Sequence, residues 1–260
     1  MTFKRVALGF GVCIFLLYGG LILSLFHFFK GPVFLDILLS ERTLFSVRLS
    51  LMTATAVTMV SIFFAVPAAY ALSRYNFFGR QVIDTILELP MIVSPVALGA
   101  MVLVFFNTPL GSAIQDRGVQ IVFTVYGILV AQFVTTVGIA IRLIKAAMDE
   151  IPQRYEEVAR TLGASPAKAF FTVTLPLSRR GIIASSILTW AKAMGEFGAT
   201  ITIAGSMAMK TETIPVAIFM RLASADIEGT VVLVLLLVGI GLSVLYGVRF
   251  FARRDPYAGV

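Results

Sequence analysis

Charge is scarce in this 260-residue chain: 13% of its residues are Asp, Glu, Lys or Arg, against 58% that are hydrophobic. A soluble domain cannot bury that much apolar surface, so the class is integral membrane protein. Cysteine and histidine are nearly absent. The single cysteine, Cys13, sits inside an apolar run, which excludes a disulfide framework and a thiolate metal site. The single histidine, His27, lies near the end of the same run and reads as an interfacial polar residue without a role. There is no metal-ligand cluster and no nucleophile–base set, so a membrane enzyme finds no support. No G-x-x-x-x-G-K-S/T loop cradles a phosphate, so the chain is not expected to hydrolyse ATP itself. Soluble domains, low-complexity tracts and internal repeats are also missing.

The charge that is present falls unevenly. A net balance of +7 would by itself admit a polyanion such as nucleic acid. Laid on the apolar runs, 14 of the 21 Lys and Arg stand on the side carrying the N-terminus, six on the other and one inside the membrane. Asp and Glu divide 7, 6 and 1 in the same order. That is the positive-inside bias. It predicts a multi-pass membrane protein with both termini in the cytoplasm and gives no support to a nucleic-acid partner.

Six apolar segments set the layout. Lys4-Arg5 precede residues 6–28, long enough to cross about 30 Å of hydrocarbon. A cleaved signal peptide is the alternative. The run is too long for one, and Leu25, Phe26, Phe28 and Phe29 stand where a small-residue cleavage site belongs. Residues 30–42 then form an external connection. The second span, 43–73, exceeds the bilayer's need and must tilt or project. Its SLMTATAVTMVS middle offers small and hydroxyl side chains for close helix packing. The third, 82–106, carries Pro90 and Pro95 near its centre. Each removes a backbone donor and bends the helix, as a simple kink or as a gate beside a cavity. An external loop over 107–120 leads into the fourth span, 119–141.

The fifth span, 182–205, holds Lys192 and Glu196, four apart and so on one face near its midpoint. A lone charge there costs roughly 2.5–3.5 kcal/mol on the insertion scale, so both should face protein or water. Either Lys192 lines an anion pathway or the two pair for structure alone. Ala191, Gly195 and Ala199, with Gly198 beside them, offer a surface for close helix approach. Residues 206–229 are expected outside, with a short helix over 215–225 lying at the membrane interface. The sixth span is 230–251.

The densest run of charge lies between two apolar segments, in IPQRYEEVARTLGASPAKAFFTVTLPL at residues 151–177. Its punctuation predicts two short helices. Pro152 suits a first turn, Gly163 a left-handed stop, and Ser165-Pro166 a capped restart ended by Leu175-Pro176. On the first helix Tyr155, Val158, Ala159 and Leu162 share a face, with Arg154, Glu157 and Arg160 flanking it. That face either packs on its own bundle or receives a soluble partner.

Glu157-Val158-Ala159, then Gly163, then Leu175-Pro176, resembles the EAA loop of permease subunits in ATP-binding-cassette (ABC) importers, with Val158 in place of the first alanine. Residues 191–200, AKAMGEFGAT, resemble the A-R-x-x-G-E-F-G-A signature of molybdate and sulfate permeases, with Lys192 in place of arginine. KTETIPVAI at 210–218 and FTVYGILVA at 123–131 fit the same family. So does LPMIVSPVALG at 89–99, where Ser94 replaces a proline. Thr136-Val137-Gly138 stands where the family often has a proline before the loop.

The resemblance covers roughly residues 43–250 and implies an all-α integral membrane protein with six transmembrane helices and the type I ABC importer permease fold. Residues 1–42 would then be an N-terminal membrane helix and external loop. The transmembrane domain would occupy 43–250, with its coupling loop over 142–181, and a cytoplasmic tail would follow over 251–260. Tyr155, Glu157, Val158, Ala159, Leu162 and Gly163 would couple to the ATPase. Pro90, Pro95, Lys192, Gly195, Glu196 and Gly198 would serve the translocation path or helix packing. Implied partners are a second copy of the chain, a dimer of cytoplasmic ATPases, an extracytoplasmic oxyanion-binding protein and membrane lipid. No cofactor is expected on this chain, ATP and Mg being used by the ATPase. The cargo would be molybdate, with tungstate shared; sulfate or thiosulfate is the near rival, and an ATPase-independent channel or carrier the more distant one.

Overall fold

The structure is a computed structural model and describes residues 2–28 and 31–253. The regular elements among them are helical: α1 (Thr2–Leu25), α2 (Gly31–Leu38), α3 (Glu41–Arg74), α4 (Arg80–Ile86), α5 (Leu89–Ile92), α6 (Pro95–Phe106) and α7 (Pro109–Asp116) in the first half. The second half holds α8 (Val125–Asp149), α9 (Arg154–Thr161), α10 (Pro166–Ala169), α11 (Leu175–Met194), α12 (Gly198–Ala204), α13 (Ile214–Ala223) and α14 (Ile227–Arg253). The predicted tail lies outside the described residues from 254 onward.

α3 and α8 form the central pair, with α11 laid against both. Ala65, Ala69 and Leu72 of α3 meet Ala140, Ile141, Ile144 and Met148 of α8. Further along, Ala54 of α3 packs with Ala193, Met194 and Ile214. The pattern on α3 is inverted relative to a soluble helix. Its buried stripe is small and polar, with Ser46, Ser50, Thr53, Thr58 and Ser61 inside, whereas Met59 and Phe63 are about 70% exposed. Lipid can take bulky apolar groups, so the interior is chosen for close approach instead.

Four helices among the described residues are long and apolar enough to cross a membrane: α1 with its 3₁₀ extension to Phe28, α3, α8 and α14. The sequence predicts six continuous spans, and the chain breaks two of them. In the third, α4 and α5 meet α6 at 116°, so the segment is an elbow rather than a bent helix. The prolines start helices here instead of bending one. Ser94 is extended and caps α6, its Oγ accepting the Ala97 N–H at 3.3 Å, because the residue before a proline is driven out of helical geometry. Pro90 occupies the first turn of α5. The predicted fifth span stops at Met194 and resumes as α12, with Gly195, Glu196 and Phe197 between.

Three smaller expectations also change. α8 begins at Val125 rather than 119, because Gly118 and Phe123 adopt φ of +106° and +59°. Phe123 donates its N–H to Ile203 O at 3.0 Å instead of joining the helix. The predicted interfacial helix, α13, is not on the surface at its start: Ile214, Pro215, Val216 and Ala217 are buried. Pro176 does not stop α10. A π-helical turn, Phe170–Thr174, carries the chain into α11, where the Leu175 N–H bonds to Phe170 O. Widening of that kind lets a helix accept a proline in its next turn.

Candidate functional site: α9 and the broken helices

α9 hangs at one end of the α3–α8 pair. Pro152 precedes it by a turn, its carbonyl accepting the Tyr155 N–H at 3.2 Å. Glu156 and Glu157 in its first turn and Arg160 in its last suit the helix dipole. Gly163 ends the unit at φ +89°, a conformation in which side-chain-bearing residues are strained. Ser165 caps α10 by accepting the Lys168 N–H at 3.3 Å. The predicted apolar face is divided. Tyr155, Val158 and Leu162 point outward, Leu162 with 83% exposure, whereas Ala159 is half-buried. Glu157 is exposed beside the outward group.

On the opposite side of the helix Glu156 is buried. Its carboxylate accepts hydrogen bonds from Tyr70 Oη at 2.8 Å, from Arg74 Nε at 2.7 Å and from Thr174 Oγ1. Burial would raise its pKa, but the bonds from Thr174, Arg74 and Tyr70 prevail and hold it below the usual carboxylate range. Arg74 also donates to Met148 O and Ile151 O at the end of α8, at 3.1 and 2.9 Å. Near by, Arg142 of α8 pairs with Glu88, and Lys145 lies 3.4 Å from Asp149 and 3.9 Å from Asp84 of α4.

The two breaks pack on each other. Gly99 of α6 lies so close to α12 that a Cβ there would stand 2.8 Å from Ala199 Cα. One on Gly198 would stand 2.9 Å from Val96 N. The helix that comes close at Gly198 and Ala199 is α6. Gly195 has only its own helix near it and serves to end α11. Lys192 Nζ is 3.7 Å from Glu196 Oε2, its side chain 41% exposed where that of Glu196 is 1%. Glu196 Oε1 accepts the Ala199 N–H at 3.1 Å, so the carboxylate sits across the break and not along a continuous helix face. Pro90, Met101, Phe133 and Gly138 line an apolar cavity of about 340 Å³ in the elbow.

A model for the inner membrane component of binding-protein-dependent transport systems matches residues 61–254. The chain belongs to this family. The molybdenum transport system permease protein ModB of Haemophilus influenzae is 36% identical to this permease over 177 residues, covering 67% of this chain and 77% of that one. A probable sulfate transport system permease protein of Chlorokybus atmophyticus is 31% identical over 203 residues, covering 77% and 71%. Among solved structures, a bacterial alginate ABC transporter in complex with an alginate-pentasaccharide-bound periplasmic protein matches with a TM-score of 0.77. That match covers 99% of this chain and 96% of that one at 17% identity, which speaks for the fold alone. This permease is thus the transport subunit of an ABC importer, all-helical and multi-pass, in an inner-membrane family.

Sequence reasoning missed Glu156, Tyr70, Arg74 and Thr174, and it missed the ion pair of Arg42 with Glu212. The only local signal was the Glu156-Glu157 doublet. Adjacent positions on a helix face about 100° apart, so the two glutamates meet different surroundings. Nothing in the spacing names a partner some eighty residues away.

Proposed function

We propose that this permease imports molybdate, with tungstate accepted at the same path, driven by a separate cytoplasmic ATPase docked on α9. The observation that carries the reading is the outward presentation of Tyr155, Val158 and Leu162 by a helix rooted through a buried carboxylate. An amphipathic helix so placed is a ready insert for a groove in a partner. In this reading Glu157, Ala159 and Gly163 shape the same insert, and ATP and Mg belong to the partner. The positive-inside bias puts α9 and both termini in the cytoplasm. A second copy of the chain completes the path, an extracytoplasmic oxyanion-binding protein feeds it, and lipid surrounds it. Pro90, Pro95, Lys192, Gly195, Glu196 and Gly198 lie at the two breaks, where a path with alternating access would open and close.

The choice of molybdate follows the identity to the molybdenum permease. Sulfate is the second reading, because the sulfate relative matches a larger share of this chain. The test is to purify the permease with the ATPase and binding protein encoded beside it and to measure ATP turnover with each oxyanion. Stimulation by molybdate and tungstate supports the proposal; stimulation by sulfate alone replaces the cargo. Full-rate uptake by the permease without any ATPase overturns the whole reading.

A further inference from the structure

The outward face of α9 serves docking, but nothing in docking calls for a charge beneath it. Glu156 is buried on the inner side of a helix whose Glu157 and Arg160 are in solvent. A helix that had only to display a face could be held by apolar packing. A buried carboxylate shared among elements carries a desolvation cost, and what it gives in return is one fixed arrangement. Here the arrangement joins α9 to the end of α3 through Tyr70 and Arg74, and to the π turn ahead of α11 through Thr174. Arg74 extends it to the Met148 carbonyl of α8 and to the Ile151 carbonyl just beyond that helix.

The polar contacts do not stop there. Arg74 Nη1 lies 3.3 Å from Ser73 Oγ, Ser73 donates to Asp149, and Lys145 bridges Asp149 to Asp84. Asp84 belongs to α4, in the short arm of the elbow. An unbroken set of charged and hydroxyl groups thus runs from under α9 to the arm that meets α6 at 116°. Gly138 reinforces the far end, because the α4–α5 connection lies on it closely enough for a Cβ there to fall 2.3 Å from Leu87 O.

We propose that Glu156 is a positioning residue for transport. It locks α9 to α3 and α11, so that a displacement applied to α9 moves α3 and, through Ser73, Asp149 and Lys145, the α4–α5 arm. The proposal rests on the reading of α9 as the ATPase-facing helix. Contiguous contacts are not in themselves coupling, so the deciding measurement is a ratio of work to fuel.

The permease is reconstituted in proteoliposomes with its ATPase and binding protein, and molybdate uptake and ATP turnover are measured together. Glu156→Gln should leave co-purified ATPase and basal turnover within twofold of the parent while uptake per ATP falls at least tenfold. Asp84→Asn, at the far end, should lower the same ratio several-fold, and the double variant should be no worse than Glu156→Gln, since both interrupt one route. Unchanged uptake per ATP in Glu156→Gln overturns the proposal. So does a loss of uptake matched by an equal loss of bound ATPase, because Glu156 would then only shape the docking face. Multiplying losses in the double variant overturn the route to α4. Should Glu156→Gln fail to fold, Tyr70→Phe with Thr174→Val removes two donors from the same carboxylate and is judged by the same ratio. A parent permease that captures no ATPase overturns the docking reading, and this inference with it.

Discussion

Arg42 and Glu212 are far apart in sequence, yet the guanidinium forks onto the carboxylate, with Nε 2.7 Å from Oε2 and Nη2 2.6 Å from Oε1. The two partners differ in setting: the Arg42 side chain is 48% exposed, that of Glu212 1%. Losing Arg42 therefore strands a buried anion, whereas losing the charge of Glu212 leaves a cation that water can reach. Arg42→Ala should destabilise the purified permease by about 3 kcal/mol and Glu212→Gln by about 1 kcal/mol. Thermal unfolding in detergent tests the asymmetry, and a larger shift for Glu212→Gln would contradict it.

The outward face of α9 predicts a separation of fold from docking. Leu162 and Val158 are 83% and 58% exposed, so Leu162→Asp and Val158→Glu should each change stability by no more than about 0.5 kcal/mol. The same variants should lose most of the co-purifying ATPase. Gly163→Pro should do likewise by altering the exit of the helix, since proline cannot take φ +89°. Normal capture of the ATPase by all three would remove α9 from the docking site.

How far the sequence disclosed this site depends on the range of the interaction. Gly163 and Ser165 were legible because a left-handed stop and a hydroxyl cap are local needs with few residue solutions. Pro90 and Pro95 marked the right place but suggested the wrong shape. A proline says where helical bonding fails, and neighbours such as Gly138 and Gly198 decide how far the chain then turns. α3 and α8 were read as spans because hydropathy is a property of the run itself, although the start of α8 depended on a bond from Phe123 to Ile203. Glu156 with Arg74 stayed hidden, since each taken alone is an ordinary charge at the end of a span.

The crossing of α6 and α12 is set by absent side chains. A Cβ on Gly99 would stand 2.8 Å from Ala199 Cα and 2.9 Å from the Cβ of Thr202; one on Gly198 would meet Val96 and Pro95. Backbone atoms are among those obstructing each site, so rotamer changes cannot relieve the contact. Gly99→Ala and Gly198→Ala should each cost about 1–3 kcal/mol and lower uptake. Gly239→Ala in α14, with nothing within 4 Å of the new methyl, serves as the neutral control. Equal melting temperatures for all three variants would mean that the helices separate freely.

Asp226 ahead of α14 offers a test by pH. The Gly229 N–H at 2.9 Å holds its carboxyl below the usual range against the opposing effect of burial, and Arg221 at 2.6 Å adds to the depression. A carboxyl depressed in the folded state contributes stability above its unfolded pKa and loses it as pH falls through the folded one. The permease should therefore lose stability on acidification below about pH 4. Asp226→Asn, which can still cap the helix, should be less stable at neutral pH and show a shallower decline. An identical acid profile in the variant would assign that decline to other carboxyls, Glu156 among them.

Lys192 and Glu196 pair across very different settings. Glu196 is anchored by the Ala199 N–H and buried, whereas the Lys192 ammonium, 3.7 Å away, keeps 41% exposure of its side chain. A pair that buried both charges would carry a desolvation cost that its attraction need not offset. This one leaves its cation reachable and its anion fixed, as suits a site where an oxyanion passes and the carboxylate keeps the lysine in place. Lys192→Ala should cut molybdate uptake at least tenfold while the complex and its basal ATP turnover persist. Lys192→Arg should restore most of the uptake, since the charge returns. Glu196→Gln should lower uptake with little change in stability, because the amide oxygen can still accept the Ala199 N–H but no longer holds the lysine by charge. Uptake unchanged in Lys192→Ala, with a lowered melting temperature, would make the pair structural and move the anion path elsewhere.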